Sequence, residues 1–134
     1  MMITQAPPTH PKICNVCGGR VVETTNDKIY GRKYGNGKCF LCTQCGRYVG
    51  CHNTGEALGV LSGKTEKRLK MMCHERFDRV WKSKKMRRGD EYLRLAELLG
   101  IDPRLCHFGF FQEADLREAA AAMKPDDWYL EVSR

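Results

Sequence analysis

Two short cysteine motifs in the first third of the chain have the spacing of metal-binding knuckles. Cys14 and Cys17 form one Cys-x-x-Cys pair, Cys42 and Cys45 form a second, and a glycine follows each pair. Two cysteines three positions apart on a tight turn can place both sulfurs on one metal ion, and two such turns complete a tetrahedral four-sulfur site. We therefore predict one Zn²⁺ per chain, held by these four cysteines. Iron in the same site is the alternative, whereas a redox dithiol is disfavoured because that motif normally stands alone beside a β-α-β unit.

Four other cysteines leave two questions open. Cys39 lies three positions before Cys42, so these two are formally another pair, but only Cys45 has the trailing glycine. We interpret Cys39 as a small buried residue. The remaining cysteines each precede a histidine, as Cys51-His52, Cys73-His74 and Cys106-His107. They allow a second zinc site, but buried cysteines and hydrogen-bonded histidines are favoured because adjacent side chains point in different directions.

No motif for catalysis accompanies the cysteines. A metal with four cysteine ligands has no open position for a substrate. The sequence also contains no His-Glu-x-x-His motif, nucleophile elbow or phosphate-binding loop. We therefore expect a protein that is not an enzyme, and we infer no small-molecule substrate.

The segments around the knuckles favour short β-strands. The β-branched residues 20–25, the turn signal Asn26-Asp27 and residues 28–30 together predict a hairpin. Further strand candidates are residues 38–41, 47–50 and 57–61.

The pattern becomes helical after Ser62. Apolar residues then recur at steps of three and four, which predicts an amphipathic helix. Its apolar stripe comprises Leu69, Met72, Cys73, Phe77, Val80 and Trp81. A second helix is expected over residues 90–99, with Asp90 as its N-cap, and a third over residues 112–124, ended by Pro125.

These elements predict an α+β fold, in which an N-terminal four-cysteine zinc ribbon of short antiparallel strands precedes a small three-helix unit. We assign residues 1–11 to a disordered tail, 12–62 to the ribbon and 63–134 to a helical unit packed on the ribbon. A ribbon buries little apolar surface, so metal binding has to supply much of its stability.

The positive charge is concentrated in the middle of the chain. The net charge is +7, and residues 63–88 alone contain eleven Lys or Arg against three Asp or Glu. Such a block can bind nucleic acid, although charge runs often only face water. We predict DNA or RNA as the partner, with Tyr30, Tyr34 and Tyr48 as stacking platforms. The predicted cationic contacts are Lys33, Lys38, Arg47, Lys64, Arg68, Arg79, Lys82, Lys84, Lys85, Arg87 and Arg88.

The predicted environment is the cytoplasm. The first twelve residues contain no apolar run of the kind that forms a signal peptide, and no stretch is long enough to cross a bilayer. Unpaired thiols are stable in the reducing cytosol, and we expect no membrane association.

Several motifs in order resemble a family of small phage- and prophage-encoded zinc-finger-containing proteins of unknown function. They are CNVCGG at 14–19, Tyr-Gly at 30–31 and 34–35, CTQCGRYVGCH at 42–52 and HERFDRVWK at 74–82. The resemblance covers about residues 12 to 113, and Asn15 stands where the family often has proline. It implies a zinc site and a phage setting, in which the compartment is the host cytoplasm.

A protein-interaction module is the alternative to nucleic-acid binding. Phe108, Phe110 and Phe111 form an apolar cluster that can anchor a host enzyme or complex. The same residues can instead close the core between the second and third helices, and we favour that interpretation.

Overall fold

The computed structural model describes residues 2–32 and 37–130 and divides the chain into two compact units. The ribbon unit is Pro7–Lys64, and the helical unit consists of residues 2–6 and 65–130. The predicted α+β class is confirmed: a three-stranded antiparallel sheet lies near the cysteine knuckles and helices follow it.

The sheet of the ribbon unit has the order β1-β2-β3, with β1 at Val21–Thr25, β2 at Lys38–Cys42 and β3 at Tyr48–Gly50. Directly paired residues share a face, so the register places Glu23, Phe40 and Val49 in one row. The next row, Val22, Leu41 and Tyr48, lies on the opposite face.

Two predictions for this region are wrong. Residues 28–30 are not the partner strand of β1, because they belong to a short helix, α1, at Asp27–Tyr30, and β1 pairs with β2 instead. The amides of Ile29 and Tyr30 both donate to the carbonyl of Asn26 at 3.0 Å, which closes a helical turn in place of a hairpin. Residues 57–61 form no strand and contribute only an isolated bridge between Cys51 and Ala57.

The core of the ribbon unit is small and includes cysteines. One hydrophobic cluster contains Cys14, Val21, Phe40, Cys42, Ala57 and Leu61. Two of these six buried residues are predicted metal ligands. The interior of the ribbon unit is thus largely the surroundings of the candidate metal position.

The helical unit contains three longer helices: α2 at Lys64–Lys82, α3 at Arg88–Leu99 and α4 at Glu113–Ala122. Helix α4 begins with a reciprocal capping box between Gln112 and Asp115. Helix α3 begins two residues earlier than predicted, and its N-cap is Arg87 in an extended conformation. Asp90 is therefore not the cap; it lies in the first helical turn, where a negative charge is favourable.

The apolar stripe of α2 packs into the main core, with one exception. Cys73, Phe77 and Val80 are buried there, but Met72 is 42% exposed and lies outside the stripe. Arg76, which interrupts the predicted stripe, donates a hydrogen bond to the carbonyl of Ala120. The polar end of Arg76 is thereby satisfied at the edge of the core.

Residues 2–6 belong to the helical unit, where Met2 and Ile3 pack against the main core. Thr9 belongs to the ribbon unit, where its carbonyl accepts a hydrogen bond from the Ala57 amide at 2.7 Å. The segment interpreted as a tail thus contributes to both units.

Glu91 on α3 is an unusual member of the interior. It is fully buried, and its carboxylate oxygens form no hydrogen bond of ordinary geometry among the described residues, although the backbone of Trp81 lies close enough to stabilise the charged form. Burial, and next the negative charge of Asp78, raise the pKa of Glu91 from 4.5 to about 8. The folded state therefore holds the proton more tightly than the unfolded state does. The stability due to this group is complete below pH 4.5 and is lost as the pH rises toward 8.

We expect Glu91→Gln to remove this dependence, because the amide carries no charge. The zinc-loaded variant should melt at a higher temperature than the wild type at pH 8, and the difference should shrink at pH 5. Thermal unfolding followed by circular dichroism measures it, with Glu118→Gln on the exposed side of α4 as the control. An equal difference at both pH values would contradict the assignment.

Candidate metal centre

The two cysteine knuckles have the same backbone geometry. In each, the amide of the glycine after the second cysteine donates to the carbonyl of the first cysteine at 3.1 Å: Gly18 to Cys14, and Gly46 to Cys42. Both glycines have left-handed φ angles, 75° and 81°, which side chains disfavour. The trailing glycine that distinguished these pairs in the sequence is thus the residue that turns each knuckle.

Backbone amides of the knuckles point at the sulfurs. The amide two residues after the first cysteine donates to its thiol at 3.4 Å in both knuckles, from Val16 to Cys14 and from Gln44 to Cys42. The Gly19 amide likewise donates to Cys17 at 3.3 Å. Such donors stabilise thiolate, the form of cysteine that binds metal.

The four thiols converge on one position. All four sulfurs lie within 4.8 Å of one another. Cys14 Sγ is 3.7 Å from Cys45 Sγ, and Cys17 Sγ is 3.4 Å from Cys42 Sγ. A tetrahedral site with Zn–S bonds of about 2.3 Å requires sulfurs about 3.8 Å apart, whereas a disulfide requires about 2.05 Å. The spacing therefore fits a metal ion, and the four cysteines are free thiols.

The electrostatics of the cluster also favour a cation. The backbone amide and the side chain of Arg47 lower the pKa of Cys45 to about 6. The Gly19 amide lowers the pKa of Cys17, but burial and the neighbouring thiols outweigh it and raise that pKa to about 12. Four thiolates this close repel one another, so the cluster loses all its protons only when a cation replaces them.

Gly19 is the tightest position at the site. A Cβ atom there would lie 2.6 Å from Gln44 Cβ, 3.0 Å from Cys42 Sγ and 3.1 Å from Cys17 Sγ. The two knuckles approach each other across this glycine, which leaves no room for a side chain.

Cys39 does not belong to the cluster. It lies in the row of β2 that faces away from Cys42, it is 1% exposed, and burial raises the pKa of its thiol. The interpretation of Cys39 as a buried residue agrees with this placement. Among residues 2–32 and 37–130, no second group of three or more ligand side chains lies close enough to hold an ion. Cys73 and Cys106 are instead buried in the core of the helical unit.

Two features of the site were missed in the sequence. The Asn15 side chain donates to the Leu61 carbonyl at 3.2 Å and accepts from the Leu61 amide at 3.0 Å. It thereby fastens the first knuckle to the end of the ribbon unit, although the sequence marked Asn15 only as a departure from proline. Arg47, predicted to contact phosphate, hydrogen-bonds to the Cys45 thiol, which makes it a positioning residue for a ligand.

Fold and site together define a class: a small antiparallel sheet whose cysteine knuckles meet at a four-sulfur metal position. Comparison with known families agrees, since the model of a zinc-finger-containing domain matches residues 10–126. The chain belongs to this zinc-finger-containing family. Neither a search of curated proteins nor one of solved structures finds a significant match.

The predicted cationic contacts have different surroundings. Lys33 and Tyr34 lie outside the described residues. Lys38, Lys64 and Arg68 are exposed. Arg79 forms ion pairs with Glu75 and Asp126, and Lys82 forms one with Asp78. Lys84, Lys85 and Arg87 lie in the connection between α2 and α3, and Arg88 is the first residue of α3.

The three phenylalanines lie in or against the main core, as in the interpretation favoured from the sequence. Phe108 is 2% exposed and Phe111 is 0% exposed, and both belong to the main core. Phe110 is partly buried against that core. An anchor that requires all three side chains at the surface is therefore not present in this conformation.

We expect purified protein to contain one zinc ion per chain. Cys42→Ser should lose the ion, because serine cannot supply a thiolate ligand. Metal analysis by mass spectrometry measures the ratio, and Cys51→Ser, which is outside the cluster, should retain the ion. Two ions in the wild type, or an unchanged content in Cys42→Ser, would contradict the assignment.

Gly19→Ala should destabilise the zinc-loaded protein by about 1–3 kcal/mol, the usual cost of an extra methyl group in a close-packed site. Denaturant unfolding measures the change. Gly89→Ala is the matched control, because a Cβ at Gly89 meets no atom within 4 Å. Equal stability of the two variants would show that the knuckles can separate at no cost.

Proposed function

We propose that the chain is a nucleic-acid-binding module whose ribbon is held together by a structural Zn²⁺. The donor set supports zinc, since four thiolates in a tetrahedron are its usual structural ligands. When bound, the ion supplies cross-linking of the two knuckles, and four protein ligands leave no position for a substrate. Folding of the ribbon unit then depends on metal, because its apolar core is small.

The observation that carries nucleic-acid binding is a patch of four cations at the junction of α2 and α3 that form no ion pair among the described residues. We call Lys84, Lys85, Arg87 and Arg88 the turn patch. All four are exposed, and within the described residues none of them forms an ion pair. Residues 81–88 contain no acidic residue, so this stretch carries a local surplus of positive charge.

The exposed face of α2 is less suited to phosphate. Arg79 lies 3.1 Å from Glu75, and Lys82 lies 3.7 Å from Asp78. Each exposed pair contributes little to stability, but the acidic partner reduces the positive field at that point. We therefore place the main phosphate contacts on the turn patch, with Lys64 and Arg68 as further exposed cations on α2.

The ribbon unit offers an aromatic surface of its own. Tyr30 and Tyr48 meet edge to face with their ring centroids 5.8 Å apart, and their hydroxyl oxygens are 2.7 Å apart. Tyr30 is 47% exposed. Two accessible rings held in a fixed relation can stack against bases, which supports the predicted role of this pair.

A phage accessory role in the host cytoplasm is part of the proposal and rests on the family resemblance, and a host protein as the partner is the alternative to nucleic acid. The burial of Phe108 and Phe111 removes the predicted anchor for a protein. A partner captured from host lysate that survives nuclease digestion would favour protein recognition over nucleic acid.

Nucleic-acid binding by the zinc-loaded protein should weaken steeply as salt increases, because each phosphate contact releases counterions. The triple variant Lys84→Ala, Lys85→Ala, Arg87→Ala should flatten the slope of log affinity against log salt by about 2 for single strands. Fluorescence anisotropy with labelled oligonucleotides measures both quantities.

Arg79→Ala with Lys82→Ala is the control, because these cations are already paired with acidic residues. This double variant should change the slope of log affinity against log salt less than the triple variant does. Absence of binding to single strands and duplexes at low salt would reject the proposed function.

A further inference from the structure

The turn patch lines an open surface depression of about 550 Å³ in the helical unit. The depression is lined by Trp81, Lys84, Lys85, Met86, Arg87 and Arg88. Four of these six residues are cations, and the largest side chain is an indole that is partly buried against the main core. The site thus combines an aromatic surface with a surplus of positive charge in a volume typical of small-ligand pockets.

We propose that this pocket binds one unpaired nucleotide of a single strand, with the base against Trp81 and the phosphates on the turn patch. The inference rests on the proposed function and deepens it, since it specifies the form of nucleic acid and the residue that contacts a base.

The backbone between the helices brings the cations to the ring. Lys84 has a φ of 61°, and its amide donates to the Trp81 carbonyl at 3.0 Å. The Lys85 amide donates to the Val80 carbonyl at 3.3 Å. These bonds fold the chain back over the last turn of α2, so that Lys84 and Lys85 flank Trp81. Glycine is the usual residue at such a left-handed position after a helix, and here a lysine occupies it.

The indole of Trp81 is held in place. Its Nε1 donates to Asp78 Oδ1 at 2.8 Å, which fixes the orientation of the ring. The same carboxylate lies 3.7 Å from the Lys82 ammonium, so Asp78 is already engaged twice. A fixed ring loses little conformational freedom when a base stacks on it.

Arg88 is positioned to bind the ligand beside the ring. Its guanidinium carbon lies over the ring of Trp81, 5.5 Å from the centroid, and over that of Tyr92 at 5.6 Å. The Lys82 ammonium also lies over Trp81, at 5.7 Å, so a base that stacks on the indole replaces one of these two cations. Contact with two rings holds the guanidinium by cation–π attraction. Its N–H groups can then donate to a phosphate, or its plane can stack on a base next to Trp81.

The combination favours a nucleotide over other anions. An inorganic phosphate has no surface for the indole, and an acidic peptide has no planar ring to stack on it. A base in a duplex is covered by its neighbours, whereas an unpaired base exposes its aromatic face to a side chain. We therefore expect the pocket to distinguish single strands from duplexes.

The test uses the zinc-loaded full chain, a short oligothymidylate and a duplex of equal length. Trp81→Leu should weaken binding of the single strand about tenfold, the loss expected for one stacked base. The slope of affinity against salt should not change, because no phosphate contact is removed. Trp81→Phe retains an aromatic ring and should bind nearly as the wild type does.

Tryptophan fluorescence gives a readout that does not depend on a disruptive variant. Trp128 is 6% exposed, so quenching by oligothymidylate should report Trp81 and should disappear in Trp81→Phe while binding persists. Circular dichroism verifies that each variant is folded.

The outcomes separate the inference from the proposed function. If binding depends on salt but tryptophan fluorescence is not quenched, and Trp81→Leu binds as tightly as the wild type, the nucleotide pocket is overturned. Phosphate binding by the turn patch would then remain. Equal affinity for the duplex would also overturn the nucleotide pocket. Competition by polyglutamate but not by mononucleotides would assign the pocket to acidic peptides, and no binding of any nucleic acid would reject both proposals.

Discussion

The convergence of four sulfurs is the constraint on which the ribbon unit depends. The two knuckles are separated by 24 residues, residues 18–41, yet their sulfurs lie within 4.8 Å of one another. Closing a loop of this length costs conformational entropy that a small core compensates poorly. A cation that binds the folded arrangement and not the unfolded chain supplies the missing free energy. The backbone turns of the knuckles, the amides that donate to the sulfurs and the close approach at Gly19 all help to bring the four sulfurs together.

The sheet brings the knuckles to that contact. Cys42 ends β2 and pairs with Val21 at the start of β1. Just beyond it, the Thr43 amide donates to the Arg20 carbonyl at 2.8 Å. The second knuckle is therefore anchored to the sheet at a ligand. The first is anchored two residues before Cys14, where the Lys12 carbonyl accepts from the Val21 amide at 3.0 Å. Asn15 adds a bond from the first knuckle to Leu61, so metal position, sheet and the segment before α2 form one connected structure.

The sequence predicted those parts of the fold that local chemistry specifies. The knuckles, β2, and the helices α2 and α4 follow from cysteine–glycine spacing, apolar periodicity and the helix stop at Pro125. The helix α1 was missed because residues 28–30 have the composition of a strand, and the amides that donate to Asn26 decide their conformation. Local sequence patterns also could not predict which charged side chains form ion pairs or which aromatic rings contact each other. The contact of Arg79 with Asp126 joins residues far apart in sequence, as does the contact of Phe108 with Phe77.

The formal charge differs between the segment that contains the metal ligands, residues 1–62, and the basic segment that follows it, residues 63–88. A Zn²⁺ ion with four thiolates carries a net charge of −2, whereas four protonated thiols carry none. Residues 1–62 contain seven Lys or Arg and three Asp or Glu, so loading the metal lowers their formal charge from +4 to +2. Metal binding thus makes the ribbon less attractive to a polyanion, even with Arg47 beside Cys45. The ion is suited to holding a fold, whereas in the proposed function the positive charge for a phosphate backbone comes from the turn patch, which lies within the segment 63–88 that carries +8.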